Sequence, residues 1–129
     1  MSTSYTFELP YPPLSGNRAS RTGRGRHYTP KELVAYRQRL AIEASRQGVA
    51  GLMLAGPLVF RVQLMPPDLR ARDEDNALKV LKDAMTRARI WVDDSNRVIR
   101  RTGVEWCDVV SGGLVCVTLT GLESAKLEK

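Results

Sequence analysis

Leu58-Val59-Phe60-Arg61-Val62-Gln63-Leu64-Met65 alternates side-chain character, placing Leu58, Phe60, Val62 and Leu64 on one face of a core strand. Gly56-Pro57 leads into it and Pro66-Pro67 stops it. From Asn76 to Arg89 the period changes. Leu78, Leu81, Met85 and Ala88 recur at helical spacing, with Lys79, Lys82, Asp83 and Arg87 elsewhere on the helix. Upstream, Thr29-Pro30-Lys31-Glu32 is a capping box that opens a helix carrying Leu33, Tyr36, Leu40 and Ala44 and ending at Gly48. Tyr5, Phe7 and Leu9 mark a first strand, closed by Pro10, Pro12 and Pro13, and residues 14–28 read as a long loop. Residues 97–106 and 114–120 read as two more strands joined around Ser111-Gly112-Gly113. The order β, loop, α, β, α, β, β predicts an α/β (α+β) fold: a small mixed sheet with two main helices packed against it.

The chain has 129 residues, 43% hydrophobic and 26% charged. That length fits one domain, residues 1–129, with 122–129 as a frayed tail, because domains most often run ~100–150 residues. No apolar run approaches the ~20 residues of a membrane span, and the start shows no secretory signal, so a cytoplasmic protein without membrane contact is expected. His27 is the sole histidine, and Cys107 and Cys116 form no CxxC pair, which excludes a Cys/His zinc site within one chain. A Ser-His-Asp triad would need His27, and no GxSxG-like elbow accompanies it.

Lys and Arg number 20 against 14 Asp and Glu, a net charge of +6, and fifteen of the twenty are Arg. Arginine's planar fork suits phosphate oxygens. No acidic residue occurs between Leu9 and Pro30, where Arg18, Arg21, Arg24 and Arg26 cluster, and Arg97, Arg100 and Arg101 form a second group. A solvated surface is the commoner fate of such runs, but this distribution favours a polyanion, with nucleic acid first.

Arg70-Ala71-Arg72-Asp73-Glu74-Asp75-Asn76-Ala77-Leu78-Lys79 sets three carboxylates in a row between a strand and a helix. If the segment is extended, Asp73 and Asp75 point the same way. At ~4 Å they would repel by roughly 4 kcal/mol at an effective dielectric of ~20, so a cation is needed. Hard oxygens on a short segment suit Mg²⁺ or Mn²⁺. The plainer reading makes Asp75 or Asn76 the helix N-cap, with Asp73 and Glu74 solvated beside the positive helix end. Lys79 in the first turn opposes the helix dipole, which is better explained if carboxylates or a phosphate sit there, although an exposed lysine explains it nearly as well. Asp93-Asp94, followed by Ser95-Asn96, reads on its own as a turn, and Trp91 as core.

From about Tyr5 to Thr120 the chain resembles the RusA family of Holliday-junction resolvases of bacteria and their phages. The resemblance rests on Leu9-Pro10-Tyr11-Pro12-Pro13 with Asn17-Arg18 after it, and on Arg72-Asp73-Glu74-Asp75-Asn76-Ala77-Leu78-Lys79 followed by Asp83-Ala84 and Trp91-Val92-Asp93-Asp94. It implies that Asp73, Asp75 and Asp94 are essential carboxylates binding Mg²⁺, that Lys79 is the essential lysine, and that a homodimer nicks a four-way DNA junction symmetrically. Two positions depart from the family pattern: Arg89 stands where Gly is common, and Glu74 where an apolar residue is expected.

Phosphodiester hydrolysis needs an activated water and stabilised charge on the attacked phosphate, which metal-bound carboxylates and Lys79 are suited to supply. Arg18, Arg21, Arg24, Arg26 and Arg72 are the candidates for DNA-backbone contacts. Two other readings share the charge pattern. One is a dimeric branched-DNA-binding module whose acidic segment is only a helix cap. The other is a metal-dependent phosphohydrolase acting on flaps, other branched DNA or nucleotides.

Overall fold

The computed structural model describes residues 3–13 and 30–122. The expected loop over 14–28, with Arg18, Arg21, Arg24, Arg26 and His27, lies outside the described residues. So do Thr29 of the capping box and all of the expected tail but Leu122. The elements run β1 (Ser4–Leu9), α1 (Pro30–Arg46), β2 (Leu58–Met65), α2 (Glu74–Arg87), β3 (Ile99–Trp106) and β4 (Leu114–Gly121). This is the expected order, and the fold is α+β.

The four strands form one mixed sheet in the order β1-β4-β2-β3. β1 and β4 are antiparallel, as are β4 and β2, whereas β2 and β3 are parallel. The two glycines between β3 and β4 therefore do not make a hairpin. The chain leaves β3 and crosses β2 to reach the centre of the sheet. Gly113, at φ +76°, has another reason to be glycine: a Cβ there would lie 2.7 Å from Cβ of Tyr11.

Alternation sorts the two faces of the sheet. Phe7, Leu9, Phe60, Val62, Leu64, Val115, Val117 and Leu119 are buried, while Thr6, Glu8, Arg61, Gln63 and Glu105 are exposed. On the polar face Ser4 and Thr120 pair through their hydroxyls at 3.1 Å, and Thr6 and Thr118 at 3.2 Å.

Both helices cover the apolar face. α1 buries Tyr36, Leu40 and Ala44, and the Tyr36 hydroxyl donates to the Pro10 carbonyl at 2.8 Å, fixing the end of β1 to the helix. α2 buries Ala77, Val80, Leu81, Ala84 and Met85. Leu81 and Met85 were expected there, but Leu78 and Ala88 are only half-buried. The inward face is rotated toward the small residues Ala77 and Ala84, and the backbone of α2 comes closest to α1.

Trp91 is fully buried beyond α2 and meets Phe60 edge-to-face, ring centroids 5.3 Å apart. Its indole N–H donates to Thr86 Oγ1 at 2.7 Å, so its polar atom is satisfied. Each large core side chain contributes about 1.5–3 kcal/mol through burial, and one continuous cluster joins both helices to all four strands.

Candidate active site

The acidic segment begins the helix and is not extended. α2 starts at Glu74, two residues before the expected Asn76, and its N-cap is Asp73 with φ −93° and ψ 117°. Asp73 Oδ1 accepts the Asp75 amide at 3.0 Å and Oδ2 accepts Asn76 Nδ2 at 3.2 Å. Oδ1 thus satisfies one of the amides that a helix start leaves unpaired, and Oδ2 holds a side chain of the first turn. This corrects the expectation that Asp75 or Asn76 caps the helix. The condition of an extended segment, under which Asp73 and Asp75 would point the same way, is therefore not met.

Asp75 lies in the first turn, exposed, and Lys79 follows it at i+4, also exposed. That spacing puts both on one helix face. Glu74 accepts the indole N–H of Trp106 at 3.2 Å, tying the end of β3 to the start of α2.

The loop entering this helix is braced by Arg72. Its side chain is 5% exposed and pairs with Asp68 Oδ1 at 3.0 Å. The same Nη1 donates to the carbonyls of Asp68 at 3.1 Å and Arg70 at 3.0 Å. The guanidinium lies 5.7 Å from the centroid of the Tyr11 ring. Its Nε and Nη2, like the Tyr11 hydroxyl, are buried without a hydrogen-bond partner. The hydrogen bond from Arg72, reinforced by the Arg70 amide, holds the Asp68 carboxyl below its usual range, while burial pushes the Tyr11 phenol up. Arg72 was expected on the DNA backbone, and here it faces inward. The i, i+4 spacing of Asp68 and Arg72 was the available signal for this brace, and the functional reading of the arginines overlooked it.

The second acidic pair sits at the other end of α2. After Trp91, which bridges Leu54, Asp93 Oδ1 accepts the Ser95 amide at 2.8 Å. Hydrogen bonding from Ser95 also lowers the Asp93 pKa. The Ser95 carbonyl takes the amides of Val98 and Ile99, so a tight turn leads into β3. Asp93 makes that turn, and Asp94 is left exposed.

β2, α2 and β3 form a parallel crossover, so α2 runs down as both strands run up. Its 14 residues span ~21 Å at about 1.5 Å per residue. Asp73, Asp75 and Lys79 therefore stand at the Trp106 end of β3, and Asp94 at the Ile99 end. Among the described residues no three His, Cys, Asp or Glu side chains are grouped to hold a metal ion. Their exposed, hard oxygens suit Mg²⁺, whose ligands lie at ~2.0–2.1 Å. Asp73 and Asp75 lie together at the N-terminal end of α2, whereas Asp94 of the same chain lies beyond its other end.

Arg97, Arg100 and Arg101 are exposed at the start of β3. Asp83 is held between Arg37 at 3.1 Å and Arg87 at 3.0 Å, which joins α1 to α2.

The profile of the family described as Endodeoxyribonuclease RusA matches residues 10–114. Proteins of Escherichia coli and Enterobacteria phage 82, both named crossover junction endodeoxyribonuclease RusA, are 38% identical over 117 residues, 91% of this chain and 94% of theirs. A Shigella sonnei protein of the same name is 37% identical over the same length. With the family profile covering residues 10–114 and the relatives matching 91% of the chain, this protein belongs to the RusA family of endodeoxyribonucleases.

Proposed function

We propose that the chain is a divalent-metal-dependent endonuclease that resolves four-way DNA junctions by paired symmetric nicks, working as a homodimer in recombination and repair. The observation that carries this reading is the exposed pair Asp75 and Lys79 on one face of α2, beside the capping Asp73. The relatives' printed name supplies the junction as substrate. The residues that would hold Mg²⁺, or Mn²⁺ in its place, are Asp73 and Asp75, with Asp94 as the third carboxylate. A bound ion supplies Lewis acidity and charge neutralisation at the scissile phosphate.

The protein's own residues do the remaining work. Lys79 holds a nonbridging phosphate oxygen and favours the added charge of the transition state. Water's oxygen bonds to phosphorus and gives up a proton to solvent, the P–O3′ bond breaks, and the departing O3′ takes up a proton from solvent. Arg18, Arg21, Arg24 and Arg26, with the exposed Arg100 and Arg101, are the proposed backbone contacts that orient DNA without reading its sequence. Two free cysteines, Cys107 and Cys116, are consistent with a reducing cytoplasm. No helix among the described residues is long and apolar enough to cross a membrane.

A second reading has its own support. Asp73 is a helix cap, as a DNA-binding module without catalysis would require. One gel separates the two. Wild type and Asp75→Asn are incubated with a labelled four-way junction and matched linear duplex, with Mg²⁺ or with EDTA. Paired nicks in the junction alone, requiring both metal and Asp75, are expected. A shifted but uncut junction in every lane would establish the binding module. Cleavage of unbranched DNA would point to a broader phosphohydrolase.

A further inference from the structure

β3 is an edge strand, paired only to β2, and it ends at Trp106 beside the start of α2. Among the described residues seven large apolar side chains are exposed, and three of them, Leu69, Trp106 and Val109, line one hollow. Exposed apolar residues scattered singly need no explanation. Three around one hollow of about 290 Å³, next to the carboxylates, ask for an occupant. That volume is roughly ten times a water molecule's ~30 Å³ share of the liquid, which is room for one planar base.

Hydrogen bonds fix the walls. The Cys107 amide donates to the Leu64 carbonyl at 2.8 Å and the Val110 amide to the Pro66 carbonyl at 3.0 Å, so the chain leaving β3 stays beside the exit of β2. Asp68 Oδ1 accepts the Arg70 amide at 3.0 Å, a local turn that leaves Leu69 92% exposed. Arg70 also lines the hollow, with its own side chain largely exposed.

Trp106 sets the chemistry. It is 40% exposed, and its indole N–H is already given to Glu74 Oε1. What remains open to a ligand is ring surface with no donor to offer. Such a surface takes planar aromatic groups by stacking and reads no hydrogen-bond pattern. Glu74 stands between Asp73 and Asp75, so its bond holds the ring against the same helix turn that carries the proposed metal ligands. The net charge of +6, with Arg70 at the hollow, favours a polyanion. A DNA strand brings both a phosphate for the carboxylates and a base beside it. In continuous duplex that base is stacked between neighbours. At a branch point the stack is interrupted, and extruding a base there costs least.

We propose that Trp106, with Leu69 and Val109, receives a nucleobase unstacked at the branch point, next to the scissile phosphate. This rests on the endonuclease reading above and adds a substrate contact to it. The protein tells a junction from linear duplex by a base that the junction releases more readily. Trp106 binds substrate and takes no part in bond breaking.

Photocross-linking tests the contact. Four-way junctions carrying 5-iodouracil at single positions flanking the branch point are bound to wild type in EDTA, irradiated, digested and read by mass spectrometry. A cross-link to Trp106 from a flanking position is expected, and none from the same base in linear duplex. Cross-links that all fall elsewhere overturn the proposal.

Substitution separates the ring from its hydrogen bond. Trp106→Leu should weaken junction binding about tenfold and duplex binding less than about twofold, as the loss of one stacked base predicts. Trp106→Phe also loses the bond to Glu74 but keeps an aromatic face, and should bind the junction within about threefold of wild type. Trp106→Phe as weak as Trp106→Leu would assign the loss to the Glu74 bond. Equal effects on junction and duplex would deny any branch-point base. Either result overturns the proposal, and so does altered self-association of Trp106→Leu in sedimentation, because a second copy would then cover the ring. A junction that wild type cuts without cross-linking to Trp106 removes this inference alone. A wild type that binds no junction removes the endonuclease reading with it.

Discussion

Trp106 donates its indole N–H to Glu74 Oε1 at 3.2 Å, so the last residue of β3 holds the first residue of α2. Glu74 therefore has a structural task beside the proposed metal ligands. Glu74→Leu should lower stability by less than about 1 kcal/mol, the scale of one exposed hydrogen bond. Acrylamide quenching of Trp106 should rise, since Trp91 is buried and contributes little. Unchanged quenching would mean that the bond does not form in solution.

Asp73 has two roles that substitution separates. Asp73→Ala removes the cap and should cost about 1 kcal/mol, whereas Asp73→Ser keeps a capping oxygen and should stay within ~0.5 kcal/mol of wild type. Both remove the carboxylate, and both should lose junction cleavage. Cleavage by Asp73→Ser at the wild-type rate would leave the residue a cap and nothing more.

Arg89 adopts φ +60°, the left-handed region that glycine occupies at little cost. A Cβ there costs roughly 1–2 kcal/mol. Arg89→Gly should raise unfolding stability by about 1 kcal/mol after the added chain entropy of glycine is subtracted. Urea titration measures it directly, and a lowered midpoint would refute the strain.

Two arginines should behave in opposite ways. Arg21→Ala should weaken junction binding and reduce the salt slope by about one phosphate contact. Arg72 faces inward, with its side chain 5% exposed. Arg72→Ala should therefore lower stability by about 1–3 kcal/mol, the range for a disrupted hydrogen-bonded brace, and leave the salt slope unchanged. A smaller slope in Arg72→Ala would show that the guanidinium swings out to meet DNA.

The Asp68 carboxyl is held below its usual range by Arg72. A lowered folded-state pKa gives stability that is present above the unfolded carboxylate value, ~3.9, and is lost as pH falls through the folded value. Asp68→Asn should therefore be less stable than wild type at neutral pH, with the gap closing as acid is added. Urea midpoints taken from about pH 6 to about pH 2 follow this. A constant gap would mean that the ion pair contributes nothing through its charge.

The strands were legible because alternation is a local signal: β2 runs from Leu58 to Met65, as the sequence reading has it. The path of the chain between strands was less so. Gly112 and Gly113 look alike whether they close a hairpin or let Tyr11 approach, and only the sheet order separates these cases. In the site, the identity of the carboxylates was readable but their arrangement was not. Asp73 accepts the Asp75 amide and so holds Glu74 and Asp75 in the first turn, a choice made by a capping hydrogen bond that spacing does not reveal. The burial of Arg72 likewise depends on Tyr11, sixty-one positions earlier in the chain.

At the opposite edge of the sheet, the carboxamide of Gln47 imitates a neighbouring strand. Its Oε1 accepts the Glu8 amide at 2.9 Å and its Nε2 donates to the Glu8 carbonyl at 2.6 Å. An incoming chain finds those groups already taken, with the prolines that follow β1 just beyond them. Growth by strand addition thus meets a dead end on the β1 side.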